Sequence, residues 1–293
     1  MNFTTSIVAL STLVILNGCI VIASPSHHSF NLTKELNLDA ESLNELAVEA
    51  GAGSLSIKGQ EGLTDIRVKA EISTSSEDND HYQLTLTNSG STAYLVAKYK
   101  GDSSHWSANT DSPQIDLTVL VPPRMLLDIN DGSGDLLVKD MTNMVKIKDS
   151  SGDLIVDNVN GDLAIDDGSG RIEVSEVMGR VKIVDGSGEM KLSDIKGSID
   201  IEDGSGEMRL SDIEGHIEIE DSSGSIHVMN VNGNISLDDG SGDLTVSHVS
   251  GMVTVVDGSG DIDVQDTGGL NILETGSGDL RINNINGELA IDN

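Results

Sequence analysis

Carboxylates recur in this sequence at a fixed interval of 18 residues, and they are the side chains best able to do chemistry. One column is Asp131, Asp149, Asp167, Asp185, Asp203, Asp221, Asp239 and Asp257, ending in Thr275. A second follows an invariant Gly: Asp135, Asp153, Glu189, Glu207, Asp243, Asp261 and Asp279, interrupted by Arg171 and Ser225. Stacked carboxylates suit calcium, a hard cation that takes about six to eight oxygen ligands. On that reading Asp149, Asp153, Asp167, Asp185, Asp203, Asp221, Asp239, Asp243, Asp257 and Asp261 are the candidate ligands. The other reading is local. Each first-column Asp accepts backbone N–H bonds from its own Gly-Ser-Gly turn, and water and salt screen the remaining charge.

The nonapeptide calcium β-roll, G-G-x-G-x-D-x-U-x, is the best-known comparison. Here Asp directly follows Gly, and only alternate nine-residue halves carry the acidic turn. Acid–base catalysis needs a pair of carboxylates distinguished from the rest, and any copy of the repeat could supply one. No aromatic residue lies beyond Trp106, and no Lys or Arg lies between Arg209 and Arg281. A glycan-active β-helix would need both kinds of residue beside its carboxylates. His216, His227 and His248 fall in different columns, and their neighbours one copy on, Asn234, Thr245 and Asp266, complete no metal triad. The repeated Ser has no activating His beside it and reads as turn chemistry. The expectation is no catalytic residue and no cofactor other than calcium.

The elements that carry these columns are set by one phrase, D-G-S-G-D-L-x-V, repeated nine times from Asp131, with Ser at 133, 151, 169, 187, 205, 223, 241, 259 and 277. A short fixed period means copies stacked on one another, since no single copy can bury its own apolar face. Within a copy, Asp153 to Asp157 alternates as a strand with Leu154 and Val156 inward. A turn over Asn158 to Gly161 tucks Val159 inward, and a second strand over Asp162 to Asp166 points Leu163 and Ile165 inward. Gly recurs every nine residues, at 152, 161, 170 and 179, where the backbone needs a conformation that a side chain forbids. The prediction is an all-β parallel β-solenoid, right-handed, with 18 residues per rung, two main sheets and nine regular rungs over 131–293. Asn271 stands where Val253 and Leu289 stand in adjacent copies, so that rung contains either a one-residue slip keeping Leu270 or Ile272 inside, or a buried Asn. Residues 45–130 are strand-rich but aperiodic and read as irregular rungs capping the stack. The sequence stops in mid-copy, so the last rung leaves a sheet edge open to self-association.

The formal net charge of −32 argues against nucleic acid and anionic lipid as partners. Residues 1–18 read as an export signal whose apolar run, Ile7 to Leu16, is short for a membrane span. Leu16-Asn17-Gly18-Cys19 resembles the bacterial lipoprotein box, which implies lipidation of Cys19, a linker over 19–44 and a membrane attachment through lipid only. Ile20 in place of Asp resembles sorting to the outer membrane. Cleavage after Ala23 would instead release a secreted or periplasmic protein, and a retained anchor is the third possibility.

The repeat, together with Val121-Pro122-Pro123-Arg124-Met125-Leu126-Leu127-Asp128-Ile129 leading into Asp131-Gly132-Ser133-Gly134-Asp135-Leu136, resembles the bacterial putative-adhesin domain family over about residues 45 to 293. That resemblance implies an exported β-solenoid, often lipidated. The function expected is a non-enzymatic cell-envelope scaffold or adhesin with an acidic face and an unidentified protein or glycan partner. A calcium-stabilised binding module and a glycan-active β-helix are the alternatives.

Overall fold

Alternation across a strand decides this architecture, because each 18-residue copy carries two short runs whose inward residues are aliphatic. A computed structural model describes residues 30–74, 81–100 and 113–292, and every regular element among them is a β-strand. The export signal, Cys19 and residues 101–112 lie outside these residues.

The chain begins with β1 (Phe30–Asp39), β2 (Glu45–Ala52), β3 (Leu55–Gly59), β4 (Asp65–Thr74), β5 (Tyr82–Ser89), β6 (Thr92–Tyr99) and β7 (Gln114–Val121). The regular stack follows with β8 (Leu126–Ser133), β9 (Leu136–Met141), β10 (Val145–Asp149), β11 (Leu154–Val159) and β12 (Leu163–Asp167), and continues in the same pattern. β10 lies between β8 and β12, and β11 pairs with β9 on one side and Ile172–Val177 on the other. All these pairings are parallel at the predicted interval, as in Val145 with Leu163 and Leu154 with Ile172. Each rung therefore gives one strand to each of two ladders. These are the two expected sheets, and they join where Leu244–Ser259 and Ile262–Ser277 each run through both.

The core lies between the ladders. Leu154, Val156, Val159, Leu163 and Ile165 are all buried, and so are their equivalents in successive rungs. Val156 and Val159 both face inward across an odd spacing because Asn158 takes a left-handed backbone, φ 57°. Where a turn was expected, the strand bends at this residue instead. The bend forms a column of its own, through Asp140, Glu176, Asp194, Asp212, Asn230, His248, Asp266 and Asn284. Amide–carboxylate contacts run along it, such as Asn158 Nδ2 to Asp140 Oδ1 at 2.7 Å and Asn230 Nδ2 to Asp212 Oδ1 at 3.1 Å.

The two recurring glycines differ in kind. Gly170 has φ +146°, and a Cβ there would also lie 1.8 Å from the Gly152 carbonyl oxygen. Gly179 has no such φ; its Cβ would lie 2.3 Å from the Gly161 oxygen, so close approach of rungs is the whole requirement.

Ahead of the regular stack, β2 and β3 form one further rung. Leu46 pairs with Leu127, Leu55 with Leu136 and Ile57 with Val138, and Ala50 occupies the place of Asp131. β6 and β7 then add parallel strands to β2 and β3. Beyond them the direction reverses: β5 is antiparallel to β6, β4 to β7, and β1 to β4. This end is closed by antiparallel strands where irregular rungs were expected; β5 and β6 form a hairpin, which needs no crossover, while β4 lies between β1 and β7. Arg124 ties the segment after β7 to the connection between β1 and β2 through bonds to the Leu43 and Ala40 carbonyls, both 2.8 Å.

The irregular rung resolves as a slip. Val253 pairs with Leu270 and Val255 with Ile272, one residue short of the usual interval, and Val256 with Glu274 restores it. Leu270 and Ile272 are fully buried, Asn271 pairs with outward Thr254, and Leu273 is the exposed extra residue. In the last described rung Leu280, Leu289 and Ile291 are exposed, although their equivalents in earlier rungs are core.

Candidate functional site

The first acidic column is inside the molecule. In the strand Leu163-Ala164-Ile165-Asp166-Asp167 the inward positions are Leu163, Ile165 and Asp167, so the Asp continues the aliphatic face. Asp131, Asp149, Asp167, Asp185, Asp203, Asp221, Asp239 and Asp257 are all between 0 and 5% exposed. Water and salt therefore do not screen them, which corrects that part of the sequence reading. The predicted turn bond is present. The Ser two residues on donates its N–H to Oδ1 of Asp149, Asp185, Asp203, Asp221, Asp239 and Asp257, at 3.0 to 3.3 Å.

The other oxygens are isolated. Oδ2 of Asp149, Asp185, Asp203, Asp221 and Asp239, and both oxygens of Asp131 and Asp167, are buried without a hydrogen-bond partner. Loss of water penalises the ionised form, and a like charge on the adjacent rung adds to it. Burial, helped by Asp149, pushes the Asp131 carboxyl up to about 7. Burial pushes Asp167, Asp185, Asp203 and Asp239 up to about 6, each reinforced by column neighbours. Asp149, Asp221 and Asp257 are raised for the same first reason.

The second column lies toward solvent and is satisfied differently. Asp153, Asp243 and Asp261 accept the backbone N–H of Arg171, Asp261 and Asp279 respectively, at 3.3, 3.1 and 2.9 Å, each from the following rung. Glu189 pairs with Arg171 at 3.3 Å and Arg209 at 3.7 Å, and Arg281 with Asp261 and Asp279 at 3.5 and 3.1 Å. The ten predicted calcium ligands are thus divided: the members at 149, 167, 185, 203, 221, 239 and 257 face inward, and Asp153, Asp243 and Asp261 do not. No group of three or more His, Cys, Asp or Glu arranged to hold a metal ion occurs among the described residues. Cys19 lies outside them.

Of the three histidines of the stack, His216 and His248 are exposed and His227 is half-buried. His216 Nδ1 accepts the Asn234 N–H at 3.2 Å, His227 faces Glu207 at 3.4 Å and His248 faces Asp266 at 3.6 Å.

Sequence reasoning did not single out a groove of ≈ 730 Å³ running along the outer face of the ladder that contains β10 and β12. Its floor is built from two outward columns whose residue types change from rung to rung: Asp162, Arg180, Ser198 and His216 in one, and Lys182, Asp200 and Glu218 in the other. Arg180 pairs with Asp162 at 3.1 Å, and Lys182 with Asp200 and Glu202 at 3.0 and 2.9 Å. The available signal was variation itself: these positions change residue from one copy to the next while their inward neighbours stay aliphatic.

Among solved structures, a candidate lipid-binding protein from Parabacteroides distasonis is 12% identical with a TM-score of 0.44, over 90% of this chain and 97% of that one. A candidate cell adhesion protein from Clostridium sporogenes is 14% identical with a TM-score of 0.28, over 86% and 99%. A candidate adhesin from Parabacteroides merdae is 11% identical with a TM-score of 0.30, over 86% and 96%. No curated protein matches the chain. The model of the Toastrack DUF4097 family matches residues 43–238, which take in both the capping strands β2 to β7 and most of the stack, and the chain belongs to that family.

Proposed function

We propose that this protein is a non-enzymatic cell-envelope solenoid that recognises an extended partner along its outer groove and serves in adhesion or scaffolding. The observation that carries this reading is the contrast between the two sides of one ladder. Inward positions repeat with little change, whereas the groove columns change residue from one rung to the next, as from Asp162 to Arg180 to Ser198 to His216. That variation gives a partner lying along the groove different side chains to meet at each rung. The carboxylates most perturbed in pKa are buried on the inner face of the strands, and no Lys, Arg or His acts on them. Attachment to the envelope is assigned to Cys19, on the resemblance of its surroundings to the lipoprotein box.

Two measurements test the proposal. Purified protein is titrated onto isolated cell envelopes, with Arg180→Ala/Lys182→Ala and Met229→Ala compared with the original. Saturable binding weakened at least about tenfold by the groove pair alone, about 1.4 kcal/mol, supports it; equal binding by all three sinks the groove. Incorporation of labelled fatty acid, abolished in Cys19→Ser, tests the address, and its absence from the original protein removes the lipid anchor.

A further inference from the structure

The inward Asp column exceeds what the turns require. A neutral Asn could accept the same Ser N–H, yet all eight buried positions carry Asp. Successive members stand in direct register on parallel strands, as Asp149 with Asp167 and Asp203 with Asp221, a spacing of roughly 4.8 Å between strands. Each carboxyl from Asp131 to Asp239 retains at least one buried oxygen with no partner. An ionised carboxylate in that position has neither solvent nor a counter-charge. Besides the column, the buried polar residues among those described are Thr74, Ser247 and Thr267. The other charges acting on the column are acidic too: Asp166 on Asp167, Asp238 on Asp239 and Asp243 on Asp257. No Lys, Arg or His acts on any of the eight.

We infer that the column is a stack of shared protons, in which one carboxyl of a neighbouring pair stays protonated and donates its O–H to the unpartnered oxygen of the other. Folding then takes protons from solution near pH 6 and unfolding returns them, with no other bond made or broken. For eight carboxyls the uptake is about four protons per chain if each neighbouring pair shares one. Calcium is a poorer occupant. It wants about six to eight oxygens, and the carbonyls at this turn are already used: Asp149 O takes the Gly168 N–H at 3.1 Å and Asp167 O the Gly186 N–H at 3.0 Å.

The direction of the pH effect follows. These groups bind protons more tightly folded than unfolded, so their contribution is complete below the unfolded carboxyl range near about 3.9. It is lost as pH rises through the folded values of about 6 to about 7. Ordinary exposed carboxylates are already ionised across that window, so their mutual repulsion hardly changes. His216, His227 and His248 face outward, away from the column.

The test is thermal melting of the full chain in chelator from pH 5 to pH 8. Asp185→Asn/Asp203→Asn is compared with the exposed control Glu41→Gln/Glu61→Gln, which removes the same number of carboxyls. Infrared spectra of the folded protein at pH 6 report protonated carboxyls directly. The original protein is expected to melt at steadily lower temperature as pH rises, and to show a protonated-carboxyl band at pH 6. The Asn pair is expected to melt above it at pH 8, with a flatter profile and a weaker band, while the Gln pair keeps the slope and the band. A flat or rising profile in the original protein, or no such band, overturns the inference. So does added calcium that raises the melting point of the original protein at pH 8 but not that of the Asn pair. Should the Asn pair fail to fold, the band in the original protein decides.

Discussion

Asp149 and Asp167 face each other in register on adjacent parallel strands, both almost wholly enclosed, and the charge of Asp149 helps to hold the Asp167 carboxyl at about 6. Like charges directly opposed on a sheet destabilise it. The stack tolerates them because Ile165 and Ile183, two residues before Asp167 and Asp185 on the same face, belong to unbroken aliphatic ladders. Full burial of one such side chain contributes about 1.5–3 kcal/mol, and five of them per rung outweigh one uncomfortable carboxyl.

Truncating a ladder should therefore be the most damaging kind of surface-neutral change. Ile172→Ala is expected to cost about 2–5 kcal/mol in urea denaturation, because Ile172 is fully buried between Leu154 and Met190. Met229→Ala should stay within about 0.5 kcal/mol, since Met229 points outward and is 49% exposed. Equal losses would mean that the ladders do not hold the stack together.

Gly170→Ala should prevent the rungs from closing. The substitution meets both an unfavourable φ and the Gly152 oxygen at 1.8 Å, and a loss of more than about 3 kcal/mol, or failure to fold, is expected. Gly62→Ala shares the positive φ but meets nothing within 4 Å, so only the backbone penalty of about 1–2 kcal/mol applies. Circular dichroism melts of the two variants separate stacking from strain.

In the slipped rung, the expected asymmetry is between adjacent residues. Leu270→Ala should cost about 2–4 kcal/mol, and Asn271→Ala no more than about 0.5 kcal/mol, because only Leu270 lies in the core. The reverse ranking in chemical denaturation would place Asn271 inside.

The bend column offers a stabilising change. Glu176 holds φ 55°, a conformation that Asn and Gly adopt more readily. Glu176→Asn is expected to raise stability by about 0.5–1 kcal/mol and the melting temperature with it. It would also place an amide between Asn158 and Asp194, as Asn230 stands beside Asp212. A lower melting temperature would show that the Glu carboxylate matters more than the backbone.

Much of this architecture is legible in the chain itself. The interval of 18 and the inward set Leu154, Val156, Val159, Leu163 and Ile165 follow from spacing, because stacked copies must place equivalent residues over one another; spacing also marks the rung of Asn271 as irregular, and the pairing of Val253 with Leu270 makes it a slip. Motif likeness also led to the adhesin-domain family, in agreement with the family match over residues 43–238. The antiparallel end was not legible, since Asp65 to Thr74 alternates identically whichever way its partner runs. The Asp column was half legible. Leu163, Ile165 and Asp167 alternate inward by the same rule, but Asp before Gly-Ser-Gly also reads as a turn residue, and the turn reading put it outside. Only the tertiary structure decided between them. Whether a carboxyl is wet or dry depends on the wall opposite and on the rungs above and below, and none of those neighbours is adjacent in sequence.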